Sequence, residues 1–257
     1  MKAGARMRNA CWILVLVFLG CGGKEEAVAP AKGDASPSVA SKPTMDGLAR
    51  ELGIELTPFE EFERFRGSDD APAVQLLYPR EDVRAEDLDM FRVDVSSAFE
   101  PGGKIEFRQG KEVLFSRDFA PEDFTTTEEI AAAVRSAKPG QAVTWGYFPA
   151  KGREVTAQFT VVKEDPRLLE RIGKMEKRVG DADPYLVTAM RAQLYLNARL
   201  YYAAYKEAQR ALETGTEDAT QAFAVIQASL RAMKLQKTAL WADLQASFDG
   251  VRGRFAR

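Results

Sequence analysis

The sequence predicts an α+β protein with two domains, an antiparallel β-sandwich followed by a stack of antiparallel helical hairpins. From about residue 72 to residue 162, apolar residues alternate with polar ones and turn signals recur at short intervals, which is typical of half-buried strands. From residue 165 onward the apolar residues recur every three to four positions, and two Asp-Pro pairs mark helix starts. The first 43 residues follow neither pattern.

Composition narrows the classes of function. The chain has 257 residues, of which 46% are apolar and 29% charged, and its net charge is −2. Because no basic block stands out, we do not expect nucleic-acid binding. The chain has no histidine, and its only cysteines are Cys11 and Cys21. Without histidine, the usual general base and the commonest metal ligand are missing, so we expect no enzyme activity, no metal and no cofactor.

The amino terminus has the pattern of a secretory signal peptide over residues 1–20. A short basic stretch precedes ten mostly apolar residues, Cys11–Gly20. A helix that spans a bilayer needs about 20 apolar residues, so this run is too short to be one. A basic stretch followed by an apolar run of this length indicates an export signal.

The end of that apolar run, Phe18-Leu19-Gly20-Cys21, resembles the lipobox of bacterial lipoproteins, in which a small residue precedes a cysteine that becomes acylated. The resemblance implies that Phe18, Leu19 and Gly20 are recognised by the signal peptidase. It also implies that Cys21 becomes the first residue of the mature chain and carries the acyl chains. The alternative is an ordinary cleaved signal peptide beside an incidental cysteine.

The same resemblance makes membrane lipid the first expected partner, through Cys21. Two or more acyl chains hold a protein stably on a membrane, whereas one chain holds it only marginally. Gly22, rather than Asp, follows the cysteine. In the lipoprotein family this favours the outer membrane over retention at the inner one. We therefore expect a bacterial envelope protein on the outer membrane, facing the periplasm.

Residues 21–43 are expected to form the lipidated cysteine and a disordered tether. Of the 22 residues from Gly22 to Pro43, 14 are Gly, Ala, Ser or Pro. Such a segment buries too little apolar surface to offset the loss of chain entropy on folding.

A short helical entry segment is predicted over residues 44–70. Asp46–Leu52 is expected to form one or two helical turns. Thr57-Pro58 matches an N-cap followed by Pro at the first helical position, with acidic residues in the first turn. The rings expected to pack from this segment onto the following domain are Phe59, Phe62 and Phe65.

The β-sandwich is predicted over residues 71–164. About six short strands in roughly 90 residues is the density of a sandwich. A helix is expected within Glu128–Ala137, crossing between the sheets. The stretch Lys138–Trp145 resembles the entry to a late strand in bacterial immunoglobulin-like domains, and we expect Trp145 to be a core residue rather than a ligand platform. The alternating apolar positions include Val74, Leu76, Phe91, Val93, Ile105, Phe107, Val143, Trp145, Phe159 and Val161.

About five antiparallel helices are predicted over residues 165–250, with a tail at 251–257. Asp165-Pro166 and Asp183-Pro184 each supply a cap followed by Pro at the first helical position. One unit of about 30 residues resembles a tetratricopeptide repeat, although Arg199 stands where that family has a turn glycine. A continuous helix through Asn197–Arg199 is the alternative. The residues that carry the resemblance are Ala192, Tyr195, Tyr201, Ala204, Ala208 and Ala211.

The short connection between the last strand and the first helix of the stack predicts tight packing of the two domains. We expect Leu168, Leu169 or Ile172 to contact the β-domain, and Arg171 and Lys174 to point to solvent. Four tyrosines form a candidate partner groove, with core packing and surface hydroxyls as the alternative interpretation. They are Tyr195, Tyr201, Tyr202 and Tyr205.

The sequence contains no recognisable group of catalytic residues. The acidic stretch from Glu81 to Asp89 fits no calcium loop, is interrupted by arginines and is interpreted as a solvated connection. We therefore expect a non-catalytic interaction or scaffold module of the envelope with a protein partner. The alternative is a small-ligand-binding or accessory hydrolytic protein that uses a cleft between the two domains.

Overall fold

A computed structural model of the chain describes residues 43–60, 73–88, 91–96, 99, 102–120, 128–180, 183–214 and 219–255. The predicted signal peptide, the lipidation site Cys21 and the predicted tether lie outside the described residues, apart from Pro43. Phe62 and Phe65 lie outside them as well. The α+β fold class is confirmed: the described residues contain two sheets and seven α-helices, and the carboxyl-terminal region is helical.

The β region holds one five-stranded sheet and one two-stranded sheet among the described residues. The larger sheet has the order β2-β7-β6-β4-β5, and the smaller one pairs β1 with β3 in antiparallel fashion. The strands are β1 (Val74–Tyr78), β2 (Glu81–Arg84), β3 (Arg92–Val95), β4 (Lys104–Gln109), β5 (Glu112–Asp118), β6 (Ala142–Phe148) and β7 (Val155–Val162).

One pairing corrects the prediction of a wholly antiparallel β region. β2 runs parallel to β7, with Val83 opposite Val161, whereas the other pairs of the sheet are antiparallel. Strands joined by a tight turn have to be antiparallel, but β2 and β7 are separated by most of the β region, so no turn sets their relative direction. Apolar and polar residues alternate in the same way in parallel and in antiparallel strands, so the sequence pattern could not distinguish the two kinds of pairing.

The inner face of the larger sheet carries the core of the β region. Trp145 is fully buried, which confirms it as a core residue, and its Nε1 donates a hydrogen bond to the carbonyl of Pro79 at 2.8 Å. The Phe107 ring is stacked on Trp145, and Phe91 meets both rings edge-on. The predicted internal helix is present as α2 (Glu128–Arg135), and it buries Ile130 and Val134.

The helical region follows the capping pattern of the sequence. Asp165 and Asp183 each accept a hydrogen bond of 2.9 Å from a first-turn backbone N–H, as expected of N-caps. The remaining helices are α1 (Met45–Leu52), α3 (Pro166–Val179), α4 (Pro184–Asn197), α5 (Tyr201–Glu213), α6 (Thr220–Ala232) and α7 (Ala239–Phe255). Every helix in the described part of the chain is too short or too polar to span a lipid bilayer.

The alternative of one continuous helix through Asn197–Arg199 is wrong. α4 ends at Asn197, and Arg199 adopts a left-handed conformation with φ of 62°. The N–H of Leu200 then donates to the carbonyl of Tyr195 at 2.9 Å, which closes the end of α4. Arg199 therefore takes, in the turn after α4, the backbone conformation that glycine adopts most easily.

The entry segment is only partly helical. Thr44 caps α1 by accepting from the N–H of Gly47 at 3.2 Å, and Gly53 ends the helix with φ of 59°. The predicted second helix start at Thr57-Pro58 is wrong, because residues 54–60 have no helical structure. Both the N–H and the hydroxyl of Thr57 bind another part of the chain instead of capping a helix.

The β region meets the helical region mainly where β2 lies on α5. On α3, Leu168 and Ile172 are buried while Leu169 is 42% exposed, and Arg171 and Lys174 face solvent as expected. The main contact between the two regions thus runs through α5. The predicted contact of the first helix with the β region stays a prediction. The buried apolar residues of both regions form one continuous cluster.

Candidate functional site

A stretch of chain that forms neither helix nor strand lies across the helical region. We call residues Ile54–Glu60 the extended segment. Its contacts come from three helices that are far from it in sequence, namely α4, α6 and α7. We call these contact residues the segment-binding surface; they are Gln193, Asn197, Gln221, Gln227, Arg231 and Phe248.

Gln193 is the centre of the first group of contacts, and it is fully buried. Its Oε1 accepts from the N–H of Thr57 at 3.1 Å, and its Nε2 donates to the Thr57 hydroxyl at 3.1 Å and to Oδ1 of Asn197 at 2.8 Å. Asn197 in turn donates to the carbonyl of Glu55 at 3.0 Å. Gln221 donates to Oε1 of Gln193 at 2.8 Å and to the carbonyl of Thr57 at 3.3 Å. Carboxamides from two helices thus satisfy the polar groups of the segment at residues 55 and 57.

A second group of contacts centres on Gln227, which is 2% exposed. Its Oε1 accepts from the N–H of Glu60 at 3.2 Å, and its Nε2 donates to the carbonyl of Glu60 at 2.8 Å. One carboxamide therefore binds both main-chain groups of one residue, as a neighbouring strand would. Pro58 lies between the two groups and has no N–H that would need an acceptor.

Besides the Thr57 hydroxyl, two side chains of the segment make contacts that depend on residue type. The Phe59 ring is stacked on Phe248 with ring centres 4.3 Å apart, and Phe248 in turn meets Phe223 edge-on at 5.3 Å. Next along the segment, Glu60 forms an ion pair with Arg231. The surface thus offers main-chain recognition at three residues of the segment, an aromatic contact and a cation for an acidic side chain.

These contacts were not predicted from the sequence, although the chain contains a signal for them. Gln193 lies between Ala192 and Leu194, and Gln227 lies between Ile226 and Ala228, so each glutamine has apolar neighbours on both sides in the sequence. A glutamine that a helix must bury has to find hydrogen-bond partners, because an unsatisfied buried amide costs roughly 1–3 kcal/mol. Glutamines at core-facing positions therefore point to a segment or ligand that supplies those partners.

The predicted tyrosine groove lies elsewhere, at the contact with the β region. Tyr195, Tyr202 and Tyr205 are buried and Tyr201 is half-buried. The ring of Tyr78 on β1 packs on Tyr202 at 4.8 Å and on Tyr205 at 5.5 Å between ring centres. Burial raises the pKa of the Tyr78, Tyr195 and Tyr205 phenols. A role of these tyrosines in partner binding stays a prediction.

A charged cleft of about 440 Å³ lies between β2 and helices α3, α4 and α5. Arg84 binds Asp87 at 2.6 and 3.1 Å and donates to the Tyr195 hydroxyl at 2.8 Å. Burial acts to lower the pKa of Arg84, but the hydrogen bond and charge of Asp87, together with Tyr195 and Glu86, raise that pKa overall. Asp87 is 3% exposed, so the interpretation of the whole acidic stretch as a solvated connection is wrong at this residue. The parallel pairing of β2 with β7 places Asp87 against α5, where Lys206 lies 3.4 Å from it.

The charges that line the cleft neutralise one another. Glu207 is bridged to Arg191 at 3.2 Å and to Arg210 at 2.6 Å, and Lys206 lies 3.4 Å from Asp87. The lining contains four acidic residues, and each forms an ion pair with a basic residue. They are Glu86, Asp87, Glu176 and Glu207. Burial acts to lower the pKa of Arg191, but its bonds to Glu176 and Glu207 raise it overall, so its charge is held by these pairs.

In the part of the chain that the structure describes, no group of three or more His, Cys, Asp and Glu residues is placed to hold a metal ion. No protein-family model, no curated protein and no solved structure matches this chain.

Proposed function

We propose that this protein is a non-catalytic interaction module of the bacterial envelope, held on a membrane by lipid on Cys21 and binding a protein partner through its helical region. The observation that carries the proposal is the extended segment, which the helical region holds by side-chain hydrogen bonds to its main chain. Binding a polypeptide in this way is an interaction function that needs no reactive group.

The anchor half of the proposal follows from the lipobox resemblance and places the protein on the periplasmic side of the outer membrane. It is tested by fractionation and metabolic acyl labelling of cells that express Cys21→Ala. We expect this variant to lose the label and to leave the membrane fraction, while Cys11→Ala, altered inside the predicted signal peptide, keeps both. A labelled Cys21→Ala protein, or one that stays wholly in the membrane fraction, would contradict the anchor.

The interaction half is tested by co-purification after mild detergent extraction, with two charge-reversal variants compared with the unaltered chain. Arg231→Glu changes the segment-binding surface, and Arg135→Glu changes an exposed residue of α2 as the matched control. We expect one partner to be retained by the unaltered chain and by Arg135→Glu and to be lost with Arg231→Glu. A partner retained equally by all three proteins would contradict binding at this surface.

For the fold we further propose that the helical region packs in the manner of tetratricopeptide repeats and that the β region is a divergent immunoglobulin-like domain. Support for the first comes from α4 and α5, which form a hairpin with Ala192, Ala204 and Ala208 fully buried. Small residues at these positions let two helices approach closely. The immunoglobulin-like interpretation of the β region is supported by its many strands, by the internal helix α2 and by the buried Trp145.

A second candidate function, small-ligand binding, is favoured by one observation, the cleft of about 440 Å³ at the junction of the two regions. Because its cations and carboxylates are already paired, a ligand there would have to carry charges of both signs to exchange with them. Thermal melts of the unaltered chain and of Lys206→Ala with amino-acid zwitterions test this. Stabilisation of the unaltered chain alone would favour the cleft, and no stabilisation of either protein would rule against this candidate.

A further inference from the structure

The segment-binding surface is built to hold polypeptide main chain. Gln193 and Gln227 are at most 2% exposed, yet both carboxamides direct hydrogen bonds to residues of the extended segment. Apolar side chains pack between helices at a lower cost in free energy, because each polar group of a buried amide needs a hydrogen-bond partner. These two residues therefore mark a binding site within the helical core.

The hydrogen bonds to the main chain would be the same for any extended peptide. They involve only the carbonyl of Glu55 and the N–H and carbonyl groups of Thr57 and Glu60. Selectivity comes from side-chain features that the segment presents in order, the first being the Thr57 hydroxyl, which accepts from Nε2 of Gln193. Pro58 favours an extended conformation of the residue before it. Phe59 stacks on Phe248, and Glu60 pairs with Arg231.

We propose that this surface is the binding site for an extended peptide of a protein partner that carries an aromatic residue followed directly by an acidic one. The chain's own extended segment occupies the site as an intramolecular ligand. This inference rests on the proposed function and names the class of partner. The charge complementarity of Arg231 with an acidic side chain and the aromatic contact of Phe248 define that class.

A partner has to compete with the chain's own segment for the site. A segment on the same chain competes at an effective concentration of about 1 mM, whereas a partner competes at its own concentration. The apparent affinity for a partner is reduced by the fraction of molecules whose site is open. Weakening the segment without altering the surface should therefore strengthen binding of a peptide added in solution.

The test uses the full chain in detergent and a fluorescently labelled synthetic peptide of residues 53–60, with binding followed by anisotropy. The double variant Phe59→Ala, Glu60→Ala removes the aromatic contact and the ion pair of the segment and leaves the surface intact. We expect it to bind the peptide about tenfold more tightly than the unaltered chain does. Absence of binding to the folded variant at millimolar peptide would overturn the proposal.

A charge exchange separates recognition from a purely structural role of the same residues. Adding Arg231→Glu to the double variant should weaken binding of the peptide about tenfold, and a peptide with Glu60→Arg should restore it. A structural role of Arg231 does not produce that rescue. Binding that does not respond to the exchange would overturn the assignment of an acidic residue to this position.

Two further measurements keep the proposal open to refutation if the double variant does not fold. Hydrogen exchange of the unaltered chain should show that the amides of Thr57 and Glu60 lose protection when excess peptide is added, and unchanged protection would contradict displacement. Light scattering identifies the occupant. A dimer that the free peptide dissociates would show that a second copy fills the site, which would overturn the assignment to another protein. All of these results are independent of the acyl anchor, so their failure and that of the anchor are distinguishable.

Discussion

The carboxamide of Gln227 and the backbone of Glu60 form a reciprocal pair, with the amide group donating to the Glu60 carbonyl at 2.8 Å and the amide oxygen accepting from its N–H at 3.2 Å. The two residues are 167 positions apart in the chain. The pair joins the part of the protein before the β region to helix α6, which lies after it. The free energy of folding should therefore depend on this single side chain.

Substituting Gln227 with Ala is expected to lower the free energy of unfolding by about 1–3 kcal/mol, because two hydrogen bonds are lost and each contributes roughly 0.5–1.5 kcal/mol. Urea denaturation measures the change. Gln236→Ala is the control, because Gln236 is exposed and makes only a long contact of 3.5 Å. An equal loss in both variants would show that the pair with Glu60 does not stabilise the fold.

Asp87→Ala is expected to lower the free energy of unfolding by about 3–5 kcal/mol, because it leaves the buried guanidinium of Arg84 without its main carboxylate partner. Asp94→Ala breaks a pair with Arg92 whose side chains are 28% and 45% exposed, so the loss there should stay below about 1 kcal/mol. Chemical denaturation of the two variants in parallel gives the comparison. Similar losses would mean that Arg84 gains water or another partner when Asp87 is removed.

Two glycine-to-alanine changes should have opposite effects on the melting temperature. At Gly146 an added Cβ would lie 2.2 Å from the carbonyl oxygen of Val155, so β6 and β7 would have to separate. We expect a loss of about 1–3 kcal/mol there. Gly173 on α3 has nothing within 4 Å of the same position, and Ala should stabilise the helix by about 0.5–1 kcal/mol. Calorimetry measures the melting temperatures of both variants. An unchanged melting temperature for Gly146→Ala would mean that β6 and β7 can move apart without loss of stability.

The stability of the fold should decrease at alkaline pH because of the buried tyrosines. Burial raises the pKa of Tyr78, Tyr195 and Tyr205 above the value of about 10 in the unfolded chain. The folded state thus holds these protons more tightly, so its stability is complete below about pH 10 and is lost as the pH rises further. Phenolate absorbance and the unfolding free energy should be followed together, and Tyr205→Phe should reduce the slope. Ionisation of all three phenols near pH 10 in a chain that stays folded would contradict this.

Local rules explain the elements that could be predicted. The two Asp-Pro pairs start α3 and α4 because a carboxylate cap and a fixed φ act within one turn, and α2 was located from the same kind of pattern. The core position of Trp145 followed from the alternation of its strand. Prediction was wrong at Thr57-Pro58, where the local signal for a helix start is outweighed by hydrogen bonds to Gln193 and Gln221.

The sequence alone determined the α+β class, the order of strands before helices and most helix starts, because hydrophobic periodicity and capping act over a few neighbouring residues. It also carries the lipobox pattern that predicts the anchor. Only the tertiary structure decided that β2 runs parallel to β7, that Asp87 is buried beside Arg84, and that residues 54–60 lie on Gln193 and Gln227. These relationships join residues far apart in sequence, and a buried polar group takes whichever partner the assembled fold brings within hydrogen-bonding distance.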